Sequence, residues 1–235
     1  MKFGGSSLAS AEKIRHCATL SKDRANAIVV SAMGGMTDHL LALADSPQDN
    51  VLWKTLEDRH TEAARELGTD LSPLLDQLKH LLLGISAVGE LTLRSKDLVL
   101  SFGEKLSSEL FVAALAKEGV EARAITGGDA GIVTDDRFGE ATPLMNISLY
   151  QLKERLTSGP LPVITGFLGA TQKGVTTTIG RGGSDYTATL VGAALEADEI
   201  WIWSDVDGLL SADPRIVPEA SLISEVSCAE AIEMG

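Results

Sequence analysis

The sequence is poor in cysteine: Cys17 and Cys228 are the only two in 235 residues, and they stand far apart. That spacing excludes a disulfide framework and reads as a pair of reduced, buried thiols in a cytoplasmic protein. Aromatic residues make up only 4%, and the four histidines, His16, His39, His60 and His80, show no ligand spacing with the cysteines, so no metal site is expected. The histidines read as ordinary helix-surface residues. No apolar run approaches the about 20 residues that cross a bilayer, and the opening "MKFGG" has no charged leader with an apolar core behind it. Neither membrane insertion nor export is expected. Basic residues are also scarce, with 20 Lys and Arg against 33 Asp and Glu and a net charge of −13. Such a surface repels nucleic acid and anionic membranes, so any phosphate site must be built locally. The phosphate loop that closes on GKS or GKT is missing, as are the catalytic-loop and metal-loop signatures of protein kinases.

What is present is enough apolar residue, 44%, to bury a substantial core. Short β-like runs lead into glycine or turn residues and then into helical patterns, which predicts an α/β fold with a mainly parallel sheet between helices. "AIVVSA" (27–32) reads as a buried strand, "MGGMT" as its exit loop and "DHLLALA" as a helix beginning near Thr37 or Asp38. "PVITGF" (162–167) and "EIWIWSDVDG" (199–208) repeat the theme, and "GATQKGVTTTI" between them reads as a hairpin. Trp201 and Trp203 alternate on their strand, which predicts packing on one face against a helix.

Residues 51–93 break this rhythm. Leu52, Leu56, Ala63 and Leu67, then Leu71, Leu74, Leu75, Leu78, Leu81, Leu82 and Ile85, follow amphipathic helical spacing, with Ser72 and Pro73 opening the second helix. They form a helical insertion that could serve as a lid, a specificity element or a dimer surface. Residues 97–119 are helical again, with Leu98, Phe102, Leu106 and Leu110 four apart and Glu104 beside that stripe.

Ligands of open α/β sheets bind beyond the carboxyl ends of the strands, where loops distant in sequence converge. Four loops qualify: "KFGGSS" (2–7), "SAMGGMT" (31–37), "GRGGSD" (180–185) and "SDVDGLLSADPR" (204–215). In the first, a lysine precedes bare backbone donors and a helix that starts near Ser10, an arrangement suited to phosphate or equally to a surface turn. In the third, Gly180, Gly182 and Gly183 can bend the chain or bare its amides, and Ser184 or Asp185 can cap the helix whose apolar face includes Ala188, Val191 and Leu195. The acidic fourth loop suits either a nucleotide's ribose and magnesium-phosphate end or a plain Asp-rich turn.

Laid in order, "KFGGSS", "VVSAMGGMT", "SFGEKLSSE", "TGFLG", "GRGGSDYTA" and "WSDVDGLLSADPR" resemble the aspartate kinase branch of the amino acid kinase family over nearly the whole chain. The resemblance implies that family's fold, a three-layer α/β sandwich with a helical insertion. It implies transfer of the ATP γ-phosphoryl group to the side-chain carboxylate of L-aspartate, giving 4-phospho-L-aspartate for lysine, threonine and methionine biosynthesis. It implies Lys2 bridging phosphate oxygens, Asp185 holding Lys2, and the backbone of Gly4, Gly5, Ser6, Gly182 and Gly183 completing the cradle. Arg181 matches the clamp for the substrate carboxylate, Ser31 and Thr37 hydroxyl contacts, and Glu104 the reader of its ammonium. Ser204, Asp205, Leu210 and Arg215 match positions that touch ATP, with Leu210 where a tyrosine is common and Ser204 where Thr is usual. Mg2+ is implied as cargo on the ATP phosphates. The resemblance also implies a homo-oligomer, and a catalytic domain over 1–235 that is truncated at its C-terminal end and lacks the ACT-type regulatory domains. A sister kinase with another acceptor, such as glutamate or acetylglutamate, and a non-catalytic subunit of the same fold are the alternatives.

Overall fold

The computed structural model describes residues 1–205, 208–214 and 216–234, which divide into two compact units, Met1–Trp203 and Ser204–Gly235. The larger unit is built on a five-stranded parallel sheet in the order β3-β5-β2-β1-β8. Its strands are β1 (Lys2–Phe3), β2 (Ile28–Val30), β3 (Ala122–Ile125), β5 (Leu161–Thr165) and β8 (Ile202–Trp203). Three more strands, β4 (Val133–Thr134), β6 (Leu168–Thr171) and β7 (Thr176–Thr178), form a small second sheet. The antiparallel pairing of β6 with β7 is the hairpin expected from "GATQKGVTTTI".

Strand β2 shows why the sheet is a middle layer. Ile28 and Val30 enter one apolar cluster while Ala27 and Val29 enter another, so successive side chains feed opposite faces. The first cluster collects α1 (Ala11–Ser21), α2 (Met36–Asp45), α3 (Asn50–Leu67), α4 (Ser72–Val88) and α5 (Leu93–Lys117). The second collects α6 (Gly127–Ala130), α7 (Met145–Leu156) and α8 (Gly183–Ala194). The result is the three-layer α/β arrangement with a mainly parallel sheet.

The helical excursion forms as α3 and α4. Asp49 caps α3 by accepting from Val51 N and Leu52 N, and Pro73 sits in the first turn of α4. Left-handed Gly68 (φ 76°) and Gly89 (φ 73°) end the two helices, a conformation that carries little cost only without a Cβ.

Four expectations need correction. His60 is not on the surface: it is fully buried on α3, its Nδ1 2.8 Å from Leu56 O, and burial pulls its pKa down to about 4. At the start of α5 Asp97 is fully buried, while Leu98, the first residue of the expected stripe, is only half-buried. Trp203 stacks on Phe3 with ring centroids 6.1 Å apart, but Trp201 remains 37% exposed beneath the Arg24 guanidinium instead of packing on a helix. Ser184 does not cap α8, whose N-cap is left-handed Gly182 with no side-chain hydrogen bond.

The smaller unit, Ser204–Gly235, contains an antiparallel bridge between Leu210 and Leu222 and the helix α9 (Cys228–Met234). Among the described residues no helix is long and apolar enough to cross a membrane.

Candidate active site at the strand ends

Lys2 and Asp185 meet although 183 positions separate them. β1 lies between β2 and β8, with Lys2 aligned to Val29 on one side and Ile202 on the other, which sinks the lysine until it is 8% exposed. Asp185 belongs to the first turn of α8, and its Oδ1 lies 2.6 Å from Lys2 Nζ. Gly4 faces the same ammonium, since a Cβ there would stand 3.6 Å from Lys2 Nζ.

Bare backbone joins the loops around this pair. A Cβ on Gly5 would lie 2.9 Å from Ala32 O and 3.3 Å from Gly34 Cα, so the loop after β1 and the loop after β2 touch only because Gly5 lacks a side chain. The loop after β5 closes on α8 in the same way, with a Gly166 Cβ falling 2.6 Å from Ser184 Oγ and 2.9 Å from its Cα. Between Gly166 and Leu168 the chain turns through a 2.7 Å bond from Leu168 N to Gly166 O, which holds Phe167 at φ 65°. A non-glycine residue there marks stored backbone strain beside the loops.

The two helices that start from these loops offer free donors. Ser10, Asp49 and Thr92 cap α1, α3 and α5 with their side chains, whereas α2 and α8 start from left-handed Gly35 (φ 80°) and Gly182 (φ 74°) with no side-chain cap. In α2 the Met36 N–H is taken by Met33 O at 2.8 Å, and in α8 the Gly183 and Asp185 N–H groups by Gly180 O and Gly182 O at 3.0 Å, so the donors without a partner among the described residues include those of Gly35 and Gly182, where the helix dipoles favour an anion. In a chain of net charge −13, buried Lys2 beside these loops is a local concentration of positive charge.

Glu104 lies under the loop after β2. It is 2% exposed, accepts a 3.1 Å hydrogen bond from Ala32 N at Oε1, and leaves Oε2 buried without a partner among the described residues. Burial pushes its pKa up to about 8. Gly103 permits the approach, since a Cβ there would sit 2.8 Å from Ala32 Cβ. Ser31 is half-buried and bonds through its N–H to Phe3 O at 3.2 Å, and Thr37 is exposed at the start of α2. Ser6 lies in the 3-10 turn Gly5–Leu8, its carbonyl accepting from Lys13 Nζ at 3.0 Å. Arg181 is exposed before α8 and has no hydrogen bond or ion pair among the described residues.

The structure therefore brings Lys2, Gly4 and Asp185 into contact, and gathers Gly5, Ser31, Gly34 and Glu104 through neighbouring loops. Ser204, Asp205 and Leu210 belong to the smaller unit, described by itself, and Arg215 lies outside the described residues.

Two supporting residues escaped the sequence reading. Asp97 is fully buried and accepts from Gly139 N, Thr178 N and Thr178 Oγ1 at 3.0, 3.0 and 2.8 Å, tying two segments to α5. Its signal was a polar stripe: Asp97, Ser101, Glu104 and Ser108 recur at spacings of four, three and four on a helix and are all buried. The other is Arg59, on the inserted helix α3, which carried no sequence signal of its own.

Comparison with known proteins adds independent findings. The sequence model of the amino acid kinase family matches residues 1–235. The chain is 39% identical over 255 residues to the chloroplastic aspartokinase 1 of Arabidopsis thaliana, covering 100% of this chain and 44% of that protein. It is 36% identical over 246 residues to the lysine-sensitive aspartokinase 3 of Escherichia coli, covering 99% of this chain and 54% of that one. Among solved structures, E. coli aspartokinase III in complex with aspartate and ADP matches with a TM-score of 0.89 at 34% identity, over 99% of this chain and 55% of that one. An isopentenyl phosphate kinase, with a TM-score of 0.55 at 15% identity, shares the fold. The chain spans about half the length of the relatives it matches.

Proposed function

This chain belongs to the amino acid kinase family, and we propose that it supplies the phosphoryl-transfer site of an aspartate kinase, moving the ATP γ-phosphoryl group to the side-chain carboxylate of L-aspartate. The observation that carries the reading is the pairing of buried Lys2 with half-exposed Asp185 at 2.6 Å, set where the glycine loops leave the sheet. The match to an aspartokinase holding aspartate and ADP supports the choice of acceptor and nucleotide.

A carboxylate nucleophile is already ionised at neutral pH, so the reaction needs alignment and charge neutralisation more than a strong base. Lys2 neutralises charge gathering on the phosphate oxygens, and Asp185 fixes where its ammonium stands. The backbone of Gly4, Gly5, Gly182 and Gly183 completes the cradle, with Ser6 in the same turn; the Gly5 and Gly182 amides are its donors, since Gly4 N already donates to Trp203 O and Gly183 N to Gly180 O. Arg181, exposed and without a partner among the described residues, clamps a substrate carboxylate in this reading, for which its planar fork is suited. Ser31 and Thr37 add hydroxyl contacts. Glu104 reads the substrate ammonium through its unpartnered Oε2, and must surrender its proton to do so. Ser204, Asp205, Leu210 and Arg215 take the nucleoside end. Magnesium arrives on the phosphates as part of the substrate. We place the protein in the cytoplasm, as a homo-oligomer, at the head of lysine, threonine and methionine biosynthesis. In this reading 1–235 is the catalytic domain and 51–93 an insertion within it.

The test is hydroxylamine trapping of the acyl phosphate with aspartate, glutamate and acetylglutamate offered in parallel, and ADP release followed with UMP. Hydroxamate is expected with aspartate foremost. Faster turnover with another acceptor, or none with any, rejects the assignment.

A further inference from the structure

We propose that Arg59, on the inserted helix α3, is a positioning residue for phosphoryl transfer, holding the loops after β1 and β2 in a single arrangement. Its Nη1 donates to Gly34 O at 2.8 Å and its Nη2 to Ala9 O at 3.1 Å. The two acceptors lie on different loops, so one planar fork joins them as no single-headed side chain could. Among the described residues Arg59 pairs with no carboxylate, and its charge is directed at these two carbonyls.

The bond to Gly34 has a consequence for donors. Across a trans peptide the carbonyl of one residue and the N–H of the next point in opposite directions. Arg59 therefore draws the Gly34 carbonyl toward α3 and turns the Gly35 N–H away from it, at the uncapped start of α2. Lys13 takes Ser6 O at 3.0 Å from α1, but the next N–H, that of Ser7, is already bonded to Gly4 O at 3.1 Å. It is Arg59, by collecting the Gly34 carbonyl, that biases the exposed backbone toward a donor, the polarity that phosphate requires.

Arg59 can act as a brace because α3 is itself fixed. Leu56, His60, Ala63, Ala64 and Leu67 on either side of it are buried. The insertion thereby acquires a mechanical role: it is the wall against which the Gly5–Gly34 contact is pressed.

This proposal rests on the reading of Lys2 and its loops as the phosphoryl-transfer site, and the test separates the two. In the full-length protein, Arg59→Ala and the charge-retaining Arg59→Lys are each expected to lower kcat by about tenfold to a hundredfold, the scale of a small misplacement of reacting groups. KM for the acceptor is expected to rise by less than kcat falls, since Arg181 is untouched although Ser31 and Thr37 flank the loosened loop. Amide hydrogen exchange is expected to accelerate together in residues 4–9 and 32–36 while α4 keeps its protection, a pattern that general loosening of the insertion does not give. Wild-type kcat in both variants, or unchanged exchange in the two loops, overturns the brace. So does a kcat loss that disappears on cooling to a temperature where the variants are fully folded. Lys2→Ala serves as the control: if it turns over normally the site reading has failed, whereas an inactive Lys2→Ala beside a fully active Arg59→Ala removes the brace alone.

Discussion

Lys2 holds its position through burial and through Asp185, so deleting its ammonium leaves the carboxylate without its partner at 2.6 Å and the glycine amides without their charge. Lys2→Ala is expected to lower turnover by about a hundredfold to a thousandfold, the loss typical of one preorganised charge contact in a transition state. Steady-state kinetics on the full-length protein measure it, and unchanged kcat would remove Lys2 from the chemistry. The individual site residues were legible from the sequence to different degrees. Lys2, Gly4 and Gly5 announce themselves as a charge followed by bare backbone, whereas the partnership of Lys2 with Asp185 came from the family resemblance and has no local pattern. Asp97 and Arg59 act by reaching residues 42 to 81 and 25 to 50 positions away, respectively. Such contacts are set by tertiary packing, which local pattern does not encode.

At the scale of elements, the link between β5 and α8 depends on the absence of one methyl group. A Cβ on Gly166 would meet both Ser184 Oγ and the Ser184 backbone at under 3 Å, so the helix start must move to admit it. Gly166→Ala is expected to cost about 1–3 kcal/mol in urea unfolding, as overpacking does, and to displace Asp185 from Lys2. Turnover is then expected to fall by about tenfold or more; a variant that keeps both stability and rate would show that the α8 start is more pliant than its packing implies. The helices α3 and α4 were readable because one apolar face of each is buried and Ser72 and Pro73 open the second, whereas α5 showed its four-residue spacing although residues 99–104 are buried on every side. The stretch from β3 to α7 was not. β3 places Arg123 in mid-strand, β4 has two residues, and α7 exposes Met145, Ile147 and Tyr150 while burying Leu152 and Leu156, which blurs its stripe.

For the molecule as a whole, two buried groups on neighbouring helices pull stability in opposite directions with pH. Folded Glu104 keeps its proton up to about 8, whereas the unfolded chain loses it near 4.5, so the folded state binds more protons in that window and stability falls as pH rises. Folded His60 stays neutral down to about 4, whereas the unfolded chain takes up a proton below 6.5, so stability falls as pH drops through that range. Each slope is at most about 1.4 kcal/mol per pH unit. The two slopes nearly cancel below about pH 6, so urea titrations from pH 5 to 8 are expected to give a plateau at the acidic end and a decline above about pH 6.5; Glu104→Gln should lessen that decline, and a decline of wild-type steepness in that variant would assign it to other groups. A separate consequence follows from β1, which pairs with β2 through residues about 27 positions away and with β8 through residues 200 positions away. During synthesis the first strand can find one neighbour early, but its second leaves the ribosome only after nearly all of this segment has been made. The Lys2–Asp185 contact is therefore among the last to become possible, and the emerging chain is kept without this ion pair until its own sheet can close around the first strand.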